Sequence, residues 1–249
     1  MRPTLSFALC AAVLGLSAPA IAHDHGGSAA TASAAIAMAV ADARRPSADT
    51  ARDPLRKPAE IVAFAGVQPG MAIAEIAPGG GYYTRILAAS VGPQGKVYAL
   101  MPAFFAQRPG GLDAINALAA EYGNIEVVVA EGYDTLALPQ PVDLVWTTEN
   151  YHDLANGNVA VVNEGVARLL RPGGIYFVED HNAPGTGLSA TSTLHRIDPM
   201  AVIAQVTAAG FVLEAVSDLL HNPDDPRNVP PREAQPTSDK FALRFRKPG

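Results

Sequence analysis

A chain of 249 residues with 49% apolar side chains is long enough for one sizeable domain with a buried core. Its formal net charge of −6, with only 17% charged residues, gives no electrostatic reason to expect nucleic acid or an anionic membrane as partner. The single cysteine, Cys10, falls in the first apolar run; beyond it, cysteine nucleophiles, thiolate metal sites and iron–sulfur clusters are excluded.

The first residues read as a secretory signal. Arg2 supplies a positive start, residues 5–16 are an apolar run too short to span a bilayer, and Ala20-Ile21-Ala22 fits the small-x-small cleavage rule. Cleavage after Ala22 would send the protein to the periplasm or outside the cell, with no stable membrane insertion afterwards. It would also expose His23-Asp24-His25, whose free amine and third-position imidazole suit a square-planar Cu(II) or Ni(II), unless the tail is only disordered and polar. Residues 23–52 are small, polar or Ala-rich and read as a flexible segment, with helix at most around 34–43. Arg44, Arg45, Arg52, Arg56 and Lys57 form a loose basic cluster there, read as solvated. The domain proper is expected over 53–249.

From Asp53 the chain is patterned. Asp53-Pro54 opens a helix running to about Phe64, with Asp as cap and Pro in the first turn. Strands are predicted over 71–76, 96–100, 125–129, 142–146, 175–178 and 211–216, and helices over 82–90, 111–122, 158–170 and 199–209. Residues 240–245 alternate apolar and polar, as an antiparallel edge strand would. The Pro-rich stretch 222–236 is a long loop. Strands alternating with helices imply a mainly parallel sheet covered on both faces, with ligands bound beyond the carboxyl ends of the strands.

Glu75-Ile76-Ala77-Pro78-Gly79-Gly80-Gly81 stands where the first strand gives way to its helix. Glycine there tolerates positive φ and admits a ligand close to the backbone, while the helix start offers unpaired N–H groups. The same residues would also serve as a tight turn with no ligand. The loop resembles the acidic-x-Gly-x-Gly-x-Gly motif of the class I S-adenosylmethionine-dependent methyltransferases, with Ala77 in the place of the first glycine. Arg171-Pro172-Gly173-Gly174 is similar to the turn before their fifth strand, Ala208-Ala209-Gly210-Phe211 to the turn entering their sixth, and residues 240–245 to their antiparallel last strand. The resemblance covers residues 53–248. The Pro-Gly-Gly-Gly-Tyr-Tyr run and Asn150-Tyr151-His152-Asp153 are similar to a poorly characterised exported branch.

This resemblance implies an α/β Rossmann-like methyltransferase fold: a mainly parallel seven-stranded sheet with an antiparallel last strand. It implies S-adenosylmethionine as cofactor and a small molecule as methyl acceptor. Glu75, Ala77, Pro78, Gly79, Gly80, Gly81 and Tyr82 would surround the methionine part, Met101 would end the second strand, and Glu131 and Gly132 would lie near the adenine. Thr148, Glu149 and Asn150 would line the reaction side. The family usually ends its second strand with an acid that holds the ribose hydroxyls; here the strand runs Val97-Tyr98-Ala99-Leu100-Met101.

His152 and Asp153 follow the fourth strand, Asp180 and His181 the fifth, and His195 lies in the next loop. The fold would gather them on one rim, so Tyr151, His152, Asp153, His181 and His195 are the candidate catalytic residues, as an acid–base or metal constellation. Each histidine alone would equally serve to hydrogen-bond a loop. No His-x-x-x-His spacing is present, so no metal ligand set is assigned. Tyr82, Tyr83 and Tyr151 could cover an adenine or a sulfonium, or simply line the pocket and pack helices. Trp146, inside a strand, reads as core. Three functions stay open: a methyltransferase, a non-catalytic small-molecule-binding protein on the same fold, and a metal-dependent enzyme built on the rim histidines.

Overall fold

Seven strands make one sheet in the order β3-β2-β1-β4-β5-β7-β6 in a computed structural model that describes residues 25–249. They are β1 (Ala72–Ile76), β2 (Lys96–Pro102), β3 (Ile125–Ala130), β4 (Val142–Thr148), β5 (Leu170–His181), β6 (Val212–Ser217) and β7 (Lys240–Arg246). The first five pair in parallel, and β7 runs antiparallel between β5 and β6. The helices in chain order are α1 (His25–Val40), α2 (Ser47–Thr50), α3 (Asp53–Arg56), α4 (Pro58–Ala65), α5 (Tyr82–Val91), α6 (Ala103–Ala106), α7 (Asp113–Tyr122), α8 (Tyr151–Leu154), α9 (Val159–Leu169), α10 (Thr191–Leu194) and α11 (Pro199–Ala208). The predicted signal and the side chains of His23, Asp24 and His25 lie outside the described residues. Among those described, no helix is long and apolar enough to cross a membrane.

Both faces of the central strands are covered, which is why β1 is buried along its whole length. Alternate residues feed two cores. Ile73, Leu144, Trp146 and Phe177 meet Ile36, Ile61, Ile86 and Leu87 from α1, α4 and α5. Ala74, Val145, Tyr176 and Val178 meet Val166, Val202 and Val206 from α9 and α11. The chain leaves β1 toward β2 and β3 on one side and continues from β4 toward β5 on the other. The crevice above this reversal, at the carboxyl ends of β1 and β4, is where such sheets hold ligands.

Three expectations are corrected. The stretch 23–52, expected to hold little fixed structure, contains α1, with Ala32, Ile36 and Ala39 buried. Their spacing makes one narrow apolar face, and alanine lets it approach α5 closely. The helix expected over 53–64 is broken into α3 and α4 at Lys57, which adopts φ 42°. Pro58 follows it, and a residue before proline is disfavoured in the right-handed helical region. Finally, β7 is not an edge strand. Its residues are mostly buried between β5 and β6, and the edge falls to β6, where Val212 and Val216 are exposed.

Candidate functional site

The glycine loop is held open from below. Asn150 Nδ2 donates to the Ile76 carbonyl at 2.9 Å, tying the end of β1 to the segment after β4. Gly81, at φ 80°, caps α5; a Cβ there would stand 2.6 Å from Leu118 Cδ2, so this glycine serves packing. Gly79 and Gly80 are different, because a Cβ on either meets nothing within 4 Å. They face a crevice of about 310 Å³, walled also by Glu75, Ala77, Pro78, Tyr82, Tyr83, Thr148, Glu149 and Asn150. Glu75 is buried, its Oε2 has no hydrogen-bond partner, and burial pushes its carboxyl up to about 7.

The N-terminal arm supplies the crevice's remaining wall, Arg52 and Arg56. The fully buried Arg45 side chain grips Asp53 through Nη1 and Nη2 at 2.8 and 2.6 Å, and the Tyr82 hydroxyl donates to the same carboxylate at 2.6 Å. The guanidinium carbons of Arg45, Arg52 and Arg56 stand 5.3, 4.7 and 4.7 Å from the Tyr82 ring centre. Three of the five basic residues, Arg45, Arg52 and Arg56, are therefore built into the site, not merely solvated as expected. Arg44 pairs with Asp42 and Lys57 with the Leu219 carbonyl, away from it. Tyr82 and Tyr83 line the crevice, but their rings are engaged with these arginines and with Trp146, which is core as predicted. Tyr83 also donates to Glu179 Oε2 at 3.3 Å.

A larger cavity of about 630 Å³ adjoins the crevice. Arg52, Arg56 and Glu149 border both. Glu149 has φ 56°, and its carboxylate accepts from Arg56 Nη2 at 2.6 Å and from Lys240 Nζ. Burial works to raise Glu149, but Lys240 and Arg56 outweigh it and hold the carboxyl well below its usual range. Beneath, the fully buried Glu179 lies 3.4 Å from Lys240 Nζ, and its burial raises it.

His152, His181 and His195 share the cavity wall. The Asp180 carboxylate, with no exposed surface, accepts from His152 Nδ1 at 2.8 Å and from the backbone N–H groups of His152 and His181, both at 2.7 Å. Burial disfavours the charged form of His152, but Asp180 outweighs it and raises the imidazole above its ordinary value. His181 has Nδ1 2.7 Å from Ser238 Oγ, and burial depresses it to about 4. Asp153 is exposed beside His152 and His195.

Six predicted residues line neither cavity: Gly81 and Asp153, placed above, and Tyr151, Met101, Glu131 and Gly132. Tyr151 is fully buried in the lower core, its hydroxyl accepting from Asn163 Nδ2 at 2.9 Å. Met101 is buried in the apolar core under β2. Glu131 is exposed, and neither it nor Gly132 lines either cavity. Arg52, Arg56, Glu179, Ser238 and Lys240 went unpredicted as site residues. Lys240 heads a strand that also carries Arg244 and Arg246, so nothing in the sequence marked it out.

No family model and no curated relative matches the chain. Solved structures do. A SAM-dependent methyltransferase from Aquifex aeolicus superposes with a TM-score of 0.58 at 18% identity, over 83% of this chain and 96% of that one. The fold is that of the class I methyltransferases. The N-methyltransferase NodS from Bradyrhizobium japonicum gives 0.57 at 12% identity, over 79% of this chain and 98% of that one. The [4+2]-cyclase SpnF gives 0.59 at 15%, over 83% and 85%. One methyltransferase fold thus carries a cyclase as well, so the reaction must be argued from the site.

Proposed function

We propose that the protein binds S-adenosylmethionine in the crevice over Gly79 and Gly80 and methylates a small molecule held in the adjoining cavity. The observation that carries this reading is that two cavities meet across Arg52, Arg56 and Glu149, one of them on the glycine loop. Donor and acceptor would then lie end to end, and positioning is the main catalytic requirement of a methyl displacement.

The residues fit the amino-acid end of the ligand. Glu75 has an unpaired buried oxygen to offer an ammonium group. Arg52 and Arg56 present guanidinium groups to a carboxylate, as does the first turn of α5 with its free N–H groups. When bound, S-adenosylmethionine supplies an electrophilic methyl group on a sulfonium. Arg56 and Lys240 fix Glu149 at the junction as a charged oxygen donor, where it can orient a cation or a polar acceptor.

The test is calorimetry of the full chain with S-adenosylmethionine and S-adenosylhomocysteine. Heat and a raised melting temperature are expected with both, and neither signal at millimolar ligand overturns the reading. Gly80→Val should abolish that binding while leaving the melting temperature within a few degrees, since its side chain enters open space. Undiminished binding would remove the loop from the site. A non-catalytic binding protein is the second reading, favoured by β2 ending in Leu100-Met101-Pro102 without a carboxylate. It predicts a different small molecule in mass spectra of natively purified protein.

A further inference from the structure

We propose that His152, Asp153 and His195 form a site for a zinc-type divalent cation on the wall of the larger cavity. The three come from two separate segments of the chain. His152 and Asp153 lie in α8 after β4, and His195 follows α10 in the connection from β5 to α11. His152 Nε2 stands 3.5 Å from Asp153 Oδ1, and His195 Nδ1 stands 3.6 Å from the same oxygen. All three ligand atoms fall within 4.8 Å of one another.

These separations are too long for good hydrogen bonds, which cluster at about 2.7–3.2 Å. They match the edges of a coordination polyhedron. With metal–ligand bonds of about 2.0–2.1 Å, two donors on a tetrahedral ion stand roughly 3.4 Å apart. Three polar atoms that converge without bonding one another are what a cation would join.

The support behind the first ligand is a second, independent observation. His152 Nδ1 faces the fully buried Asp180, whose carboxylate is fixed by two backbone N–H groups. A carboxylate on the far ring nitrogen sets the tautomer, leaves the lone pair on Nε2 and fixes the ring's orientation, as it does for metal-bound histidines. His195 is held in the left-handed region at φ 50°, a conformation a β-carbon makes costly. That backbone turn brings its ring edge-on to His152, with centroids 5.4 Å apart. Strain of this kind collects at sites where a side chain must be aimed.

The neighbouring polar groups are already committed. Glu149 is bound by Arg56 and Lys240, and His181 Nδ1 by Ser238. The donor set is therefore two imidazoles and one carboxylate, which suits zinc and its first-row neighbours better than magnesium or calcium. His152 and His195 both border the cavity, so the remaining coordination positions open onto it. Such a centre is of the open type that accepts water or a substrate oxygen. One carboxylate leaves the ion with net positive charge, which would draw an anionic or polarisable oxygen of a cavity ligand. Metal uptake at this site is independent of the methyl-transfer reading.

The experiment uses full-length protein, freed of metal with a chelator and kept free of S-adenosylmethionine. Zn²⁺ titration by calorimetry should give one saturable site that is lost in His195→Ala and in Asp153→Asn, two exposed positions that leave the core intact. Asp180→Asn should weaken it by roughly 10–100-fold by loosening the orientation of the His152 ring. His221→Ala, whose ring is bound to Asp239 elsewhere, should leave affinity unchanged. Co²⁺ should develop visible absorption in the wild type and not in His195→Ala. No binding tighter than about millimolar overturns the proposal, and so does wild-type affinity in His195→Ala, which would place the ion elsewhere, for instance on His23 and His25.

Discussion

A carboxyl group kept from water with one oxygen unpaired prefers to hold its proton, and Glu75 is placed in that position at the base of the crevice. Its folded value of about 7 lies above the ordinary 4.5. Between those two values the folded chain carries a proton that the unfolded chain has released. Stability therefore falls as pH rises from about 4.5 to 7 and levels off above, a loss on the order of 3 kcal/mol. Glu75→Gln, which keeps the shape and never ionises, should flatten that window and be the more stable protein at pH 8. Urea midpoints for both proteins at pH 5 and pH 8 measure this. Parallel profiles would mean that Glu75 is solvated or paired.

At the scale of elements, the N-terminal arm decides whether the crevice has a roof. α1 packs on α5, and the Arg45–Asp53–Tyr82 cluster then fastens α3 over the glycine loop. Arg45→Ala would leave Asp53 with Tyr82 alone and remove a buried guanidinium. Because Asp53 keeps some contact with water, the expected cost is about 2 kcal/mol, below that of a fully buried pair. Ligand affinity in the crevice should fall with it, since Arg52 and Arg56 are carried on the same segment. A thermal melt matching the wild type would show that the arm is not fastened there.

The sequence told these elements unequally. Strands β1 to β6 were legible because apolar runs are bounded by glycine and proline, and each is found near its predicted place. β5, however, expected over 175–178, runs from Leu170 to His181 and takes in Pro172-Gly173-Gly174, which was expected to be a turn. α1 was not, because alanine has little periodic contrast: Ala32, Ile36 and Ala39 make a face that looks like composition. The order of β7 was hidden too, since alternation reports a strand but not its neighbours. Within the site, His152, His181 and His195 could be placed because they follow strand ends, and the fold sends strand ends to one rim. Arg56 and Lys240 could not, because they meet Glu149 across 93 and 91 residues of chain. Met101, Glu131 and Gly132 rested on the resemblance alone, at a ribose end where this chain lacks the usual acid.

For the whole molecule, topology explains why the connection from β6 to β7 matters. β6 ends, and the antiparallel β7 begins, on the rim that carries the glycine loop and the histidines. The connection therefore never leaves that rim, and Pro230, Pro231, Thr237 and Ser238 wall the larger cavity. A segment this rich in proline has little regular structure to hold it, and buried charge does so instead. Arg196, with no exposed surface, meets Asp225 at 2.8 Å and donates through Nε to the Val229 carbonyl at 2.9 Å. Asp225 accepts the Asp239 N–H at 2.6 Å, and Asp239 in turn binds Arg227, His221 and Asn182. Removing one partner from such a pair strands the other charge, at a cost of about 3–5 kcal/mol. Arg196→Ala should lose stability by that amount in urea and become cleavable by protease first within residues 222–239. Arg196→Lys should rescue it poorly, because one ammonium cannot reproduce a planar fork shared between Asp225 and Val229. Burial works to raise Asp225 and Asp239, yet their hydrogen bonds win and hold both low. The pair's contribution is thus present at neutral pH and fades as acid protonates the folded carboxyls. Wild-type resistance to protease in Arg196→Ala would mean that the loop is held by its prolines alone, and that the cavity wall needs no ionic support.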